Sequence, residues 1–217
     1  MPVLGEPEVE RRSLFRNPYV WGFLVGIATL TALRPLMRYI PDPPPVLSRL
    51  PAFSLVGPDG LPFGSDDLRG QVYVANLFAA NGASPELAAM KGMSRLQDAF
   101  AQRDIRGIRL VSISVDPEQD TPAALGAYAK RVGADPRRWT LLTGDRESIR
   151  ALVVDGFKIP SAPRPAVKPE PRDLALAGKL VLVDGEGRIR GYYASDEMGL
   201  DEVYNRAQRV VAQEHGR

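Results

Sequence analysis

The alternation of apolar and polar positions changes period repeatedly along the chain, and each period predicts a different element. Gln71 to Phe78 is an almost unbroken apolar run, with Val72, Tyr73, Val74, Leu77 and Phe78, as expected of a central strand buried on both faces. A helix follows, with Ser84 as cap, Pro85 at its first position, and Leu87, Met90, Met93, Leu96 or Gln97, and Phe100 recurring every three to four residues. Leu110 to Val115 predicts the next buried strand. Thr121 and Pro122 then open a helix that runs to Val132 and stops at Gly133, because glycine tolerates the left-handed backbone of a helix exit. Trp139 to Leu142 predicts a third short strand, and Asp145 opens a helix ending near Asp155. Lys179 to Val183 and Arg188 to Tyr193 flank Asp184-Gly185-Glu186-Gly187, a strong hairpin turn, and Gly199 to Gln213 closes as an amphipathic helix. Nearer the start, Phe53 to Val56 and Leu61 to Phe63 flank Gly57-Pro58-Asp59-Gly60 and predict a smaller hairpin.

Strand, helix, strand, helix, then a hairpin and a last helix is the order of the thioredoxin fold, here with an extra strand and helix inserted in the middle. The expected class is therefore α/β, a central mixed sheet flanked by helices with an N-terminal β-hairpin. Residues 160–171 hold too many prolines for regular structure and are expected to form a mobile loop at the edge of the site.

Ahead of this domain, Pro18 to Leu33 is uncharged and mostly apolar, with Tyr19 and Trp21 at one end and Arg34 and Arg38 at the other. Continued through Pro35-Leu36-Met37 with Arg34 snorkelling, it reaches about 30 Å as a helix, one hydrocarbon core. The organisation expected is a cytoplasmic tail over 1–17, an uncleaved transmembrane signal anchor over 18–38, a stiff proline-rich spacer over 39–51, and a globular domain over 52–214. Arg11, Arg12 and Arg16 before the segment balance Arg34, Arg38 and Arg49 after it, so flanking charge does not orient the anchor. Arg11-Arg12-Ser13-Leu14-Phe15 is loosely similar to a twin-arginine export signal, with Glu10 where Ser or Thr normally stands.

With Lys and Arg totalling 28 against 26 Asp and Glu, the chain is nearly neutral and shows no basic face, so nucleic acid is not expected as a partner. There is no cysteine, and the one histidine, His215, stands in the C-terminal tail. Disulfides, thiol peroxidase and thiol–disulfide exchange chemistry, and any Ser/His/Asp arrangement within the domain are thereby excluded.

The stretch Ser112-Ile113-Ser114-Val115-Asp116-Pro117-Glu118-Gln119-Asp120-Thr121-Pro122, together with Trp139 to Asp145 and the late hairpin, resembles the SCO/SenC family, over about residues 50–212. The resemblance implies a thioredoxin-like domain, usually anchored in the bacterial inner membrane and facing the periplasm, that helps to metallate cytochrome c oxidase. In that family two cysteines spaced Cys-x-x-x-Cys at the start of a helix, and a histidine ahead of the late strand, hold copper. Superposing the pattern puts Gly82 at the first cysteine, Glu86 at the second, Leu87 where proline follows, and Leu176 at the histidine. All three ligands are absent from this chain.

Two substitute ligand sets deserve weighing against plainer roles. Met90 and Met93, with Glu86 one turn away, offer thioethers to Cu(I), although methionines on a helix's buried stripe normally fill core. Asp116, Glu118 and Asp120 can be drawn as a hard-metal cluster, but fit better as a solvated helix entrance. The expectation is thus a non-enzymatic binding protein without cofactor, retained for contact with oxidase subunits, copper chaperones or an intact paralogue. The alternatives are copper delivery through a Met/Glu site, or an inert envelope domain.

Overall fold

The computed structural model describes residues 18–38, 43–82, 84–157 and 178–216. Pro18–Arg38 is a helix (α1) whose side chains at Tyr19, Trp21, Phe23, Val25 and Ile27 are exposed. Thr29 and Thr31 donate their hydroxyls back to the carbonyls of Val25 (2.8 Å) and Ile27 (2.7 Å), which leaves the helix without unsatisfied hydroxyls there. The helix stands where the sequence predicts one; among the described residues, no helix is long and apolar enough to cross a membrane.

From Pro43 onward the described residues form one compact unit. Its main sheet has six strands in the order β1-β8-β7-β4-β5-β6, where β1 is Ser48–Arg49, β4 Val72–Phe78, β5 Ile108–Ser114, β6 Trp139–Leu142, β7 Lys179–Val183 and β8 Arg188–Ala194. Strands β4, β5 and β6 are parallel, while β7, β8 and β1 join in antiparallel fashion, so the sheet is mixed as predicted. All seven residues of β4 are buried, as its unbroken apolar run requires at the sheet centre. A separate hairpin pairs β2 (Ser54–Val56) with β3 (Pro62–Gly64), and an isolated bridge between Val56 and Thr143 ties it to the end of β6.

The period-two alternation of the strands separates two cores. Val72, Val74 and Phe78 face α2 (Ser84–Gln102), α3 (Pro122–Val132) and α5 (Glu197–His215), where Met93, Phe100, Leu125, Val203 and Val210 pack. Tyr73, Ala75 and Leu77 face the opposite side, with Leu55 of the hairpin, Ile149 of α4 (Arg146–Ala151), Leu152 and Val153 of the π-helical turn that extends it, and Phe157 just after that turn. Cap chemistry sets the helix ends: Thr121 Oγ1 accepts from Ala124 N and Gly133, at φ 73°, closes α3, while Asp145 and Asp196 cap α4 and α5.

Three expectations need correcting. The spacer is shorter than 39–51, because Leu47 N and Leu50 N donate to Ile189 O (2.8 Å) and Gly187 O (2.9 Å), placing β1 on the sheet edge with Leu50 buried. Proline is compatible with this position because an edge strand needs only one row of donors. Leu87 is not part of the buried stripe of α2 but 51% exposed, since it lies in the helix's first turn, beyond the end of the sheet. His215 belongs to the last turn of α5, its Nδ1 2.9 Å from Val211 O, rather than to a frayed tail. The proline-rich stretch 160–171 lies outside the described residues.

Candidate functional site

The site expected from the sequence sits where β4 and β5 end and α2 begins. Phe78 closes β4, and the chain then turns tightly, Gly82 N donating to Ala79 O at 2.8 Å. Across the gap, the Asp-Pro to Thr-Pro stretch after β5 supplies the anchor for this turn. Asp120, 2% exposed, accepts at Oδ2 from Ser114 Oγ (2.6 Å) and from Ala80 N (3.0 Å). Ser114 Oγ in turn accepts from Asp116 N (3.0 Å), and Asp120 N donates to Asp116 O (2.8 Å). The motif thus works as a buried clamp that holds the loop carrying Gly82 against the end of β5. A charged acceptor satisfies both donors more strongly than a neutral one would.

This disposes of the hard-metal reading of the same residues. Asp120 is buried and committed, Thr121 is the helix cap, and exposed Glu118 pairs with Arg146 at 2.6 Å. Among the described residues, no group of three or more His, Cys, Asp or Glu side chains is placed to hold a metal ion.

Gly82 and Glu86 are brought together as the superposed pattern requires. A Cβ built on Gly82 would meet Glu86 Oε2, with Glu86 Cδ at 2.7 Å and Ala79 O at 2.8 Å. The Glu86 carboxylate therefore occupies the space that a side chain at Gly82 would need. It also lies in the first turn of α2, where the helix dipole favours negative charge. An anion is kept where the resemblance implies a thiolate, but no soft donor comes with it. A glycine and a carboxylate do not suit Cu(I), and the donor set does not fit copper. The side chains of Ser84 and Pro85, and all of Leu176, lie outside the described residues.

The methionine alternative fails on burial. Met93 is fully buried and Met90 is 2% exposed, both in the helix-side core, and Met90 Sδ accepts a hydrogen bond from Asn76 Nδ2 at 3.4 Å. Met90 belongs to a buried polar chain unforeseen from the sequence, in which Trp139 Nε1 donates to Ser112 Oγ (2.8 Å) and Ser112 Oγ to Asn76 Oδ1 (2.6 Å). Its signal was available in a single asparagine inside the run Val-Tyr-Val-Ala-Asn-Leu-Phe, since a polar side chain in a fully buried strand must find partners. Ser112→Ala is expected to cost about 1–3 kcal/mol, because it leaves Trp139 Nε1 and Asn76 Oδ1 buried without partners. Urea unfolding should show a lowered midpoint with an unchanged slope.

A second network lies at the opposite end of the sheet. Asp184, fully buried, accepts from Arg188 Nε (2.8 Å) and Arg190 Nη1 (3.0 Å) at one oxygen, and from the backbone of Glu186 (3.1 Å) and Arg188 (2.9 Å) at the other. Burial pushes its pKa up, but the hydrogen bond from the Arg188 backbone, those from the two guanidiniums and the charge of Arg188 outweigh this and hold the carboxyl below its usual range. Arg190, 4% exposed, also donates to Pro44 O (2.7 Å) and Gln213 Oε1 (2.9 Å), tying the entering chain and α5 to the hairpin.

Comparison with known proteins agrees with this fold. The family described as SCO1/SenC matches residues 45–212. A SCO1 protein homolog of Bacillus subtilis is 26% identical over 155 residues, covering 70% of this chain and 77% of its own length. The crystal structure of a SCO1/SenC family lipoprotein from Bacillus anthracis superposes with a TM-score of 0.65 at 27% identity, covering 75% of this chain and 95% of that one. BsSco, described as a member of the Sco family of cytochrome c oxidase assembly proteins with a disulfide switch, superposes with a TM-score of 0.65 at 23% identity, over 79% and 98% of the two chains.

Proposed function

Because the chain belongs to the SCO1/SenC family, whose match takes in residues 45–212, we propose that it is a member without copper or redox chemistry of its own, acting as a non-catalytic binding partner in cytochrome c oxidase assembly. The observation that carries this reading is the pairing of Gly82 with Glu86 on an intact scaffold. The loop is clamped by Asp120, the helix start is in place, and a glycine and a carboxylate stand where the resemblance implies two cysteines. An ordered loop without soft donors supports contact rather than copper chemistry as its role. Leu87 and Met198, 51% and 81% exposed, offer apolar surface at the same end of the sheet, in the first turns of α2 and α5. The oxidase connection comes from relatives such as BsSco. The partners on this reading are oxidase subunits, a copper chaperone or an intact SCO-like paralogue. Nucleic acid has no part in it.

On the same reading the apolar helix α1 holds the protein at the bacterial inner membrane, with the domain in the periplasm. Anchorage by 18–38 needs Arg34 and Arg38 to reach the headgroups from a short span, which long cationic side chains do readily. Membranes washed with alkaline carbonate are expected to retain the protein with residues 18–38 attached, and affinity capture from them to enrich an oxidase subunit or copper protein over a Leu87→Asp/Met198→Asp variant. Release as a soluble protein beginning after Leu33 sinks the anchor, and equal recovery by the variant sinks the proposed docking end.

A further inference from the structure

The outer strand β6 borders a cavity of about 530 Å³ that has no part in the site described above. It is roofed by the turn of the small hairpin, which reaches across the strand edge to α3, Pro58 Cβ lying 3.8 Å from where a Cβ on Gly126 would stand. Leu61, Phe63, Pro136 and Leu141 give it apolar walls. Two cations open into it, Arg109 from β5 and Lys130 from α3, and neither has an acidic partner among the described residues. Arg109 is held rather than free. Its Nη2 donates to Thr140 Oγ1 (3.1 Å), its guanidinium stacks 5.7 Å from the Phe63 ring centroid, and its buried Nε has no acceptor among the described residues.

An orphaned buried donor is costly, and two uncompensated cations over one apolar hollow favour an anion that brings its own apolar body. The volume falls within the usual range for small-molecule sites, about 300–1,000 Å³. The only carboxylate among the described residues of the lining, Asp59, is turned to its own loop, accepting Leu61 N at 3.0 Å. We propose that this cavity is a binding site for a small amphiphilic carboxylate, its head on Arg109 and Lys130 and its apolar body under the Pro58 turn. This inference is independent of the oxidase reading, since it uses no residue of the Gly82 loop.

Calorimetry of the full-length protein with 2-naphthoate, against a detergent blank, tests the proposal, with 2-naphthalenemethanol as the uncharged counterpart. The expected result is saturable one-to-one binding of the carboxylate, weakened about tenfold or more in the alcohol and in Lys130→Gln, as loss of a charge-assisted contact implies. Lys130 is exposed on α3, so its replacement leaves the fold intact, and Arg109→Gln, checked for folding by circular dichroism, is expected to weaken binding further. No saturable binding at millimolar naphthoate, equal binding of the alcohol, or undiminished binding by Lys130→Gln would each overturn the proposal.

Discussion

Asp184→Ala is expected to destabilise the protein by about 3–5 kcal/mol, because it strands a buried arginine that has no other anionic partner in the hairpin. Against a domain stability of about 5–15 kcal/mol, that is a large fraction of the total. The loss has two parts: Arg190 stays buried with its charge uncompensated, and the amides of Glu186 and Arg188 lose their acceptor. Because Arg190 also reaches Pro44 and Gln213, the damage spreads to the entering chain and to α5. Asp184→Asn keeps acceptors for the amides and is expected to cost less. Pairing Asp184→Leu with Arg190→Met is expected to recover much of the loss, since apolar replacements leave no charge behind. The pH dependence has a definite sign. The folded carboxyl titrates below its unfolded value, so the stability that Asp184 contributes is present above about pH 4 and is lost as pH falls through the folded value. Urea midpoints measured between neutral pH and pH 3 should fall less steeply in Asp184→Asn than in the parent. A parallel fall would show that Asp184 does not carry the acid sensitivity.

Where the chain announces an element locally, sequence and structure agree closely. The third helix has the predicted ends, Pro122 and Val132, because Thr121 supplies a side-chain acceptor at one end and Gly133 a left-handed residue at the other. Trp139–Leu142 is also the strand expected, and the late hairpin follows from its Asp-Gly-Glu-Gly turn. Beyond local signals the reading weakens. A proline-dense segment looks like a spacer, and nothing within 43–51 reveals that Ile189 and Gly187, some 140 residues later, supply acceptors for Leu47 and Leu50. The first turn of α2 has helical spacing like the rest, but Leu87 projects past the end of the sheet, where periodicity carries no information about what lies opposite.

The site shows the same division. The pairing of Gly82 with Glu86 is legible through the family's Cys-x-x-x-Cys spacing, and the structure brings the two together, Gly82 in the turn before α2 and Glu86 in its first turn. The function of the Asp-Pro to Thr-Pro stretch was not. Asp120 was expected to cap and solvate a helix entrance, whereas it is buried and bonded to Ala80, forty residues earlier in the chain. Met90 and Met93 fill core, as their helical spacing predicts, but the hydrogen bond from Asn76 to Met90 depends on a strand and a helix meeting, which helical periodicity alone does not reveal. The resemblance to a copper-handling family identified which donors are absent. The structure adds that the loop is held in place by Asp120.

Restoring those donors is expected to create a Cu(I) site that, on the proposed reading, the parent chain lacks. In the triple variant Gly82→Cys, Glu86→Cys and Leu176→His, affinity should move from beyond about 1 mM to below about 1 µM, a gain of at least about 4 kcal/mol. Thiolates are the soft donors that Cu(I) prefers, and the first turn of α2 stabilises their charge. The two cysteine changes are coupled. Gly82→Cys alone drives its Cβ into the Glu86 carboxylate, whereas the paired change removes that carboxylate and frees the space. A Cβ at Gly82 still meets Ala79 O at 2.8 Å, so the turn must ease by a few tenths of an ångström; Ala80, held by Asp120, limits how far. The single Gly82→Cys variant should therefore be less stable than the double. Competition against a chromophoric Cu(I) chelator measures the affinity, and the cysteine pair without Leu176→His should bind more weakly than the triple. A folded triple variant with no micromolar Cu(I) binding would mean that the three positions are misassigned. Tight binding by the unmodified protein would overturn the loss of the site itself, and with it the non-catalytic role.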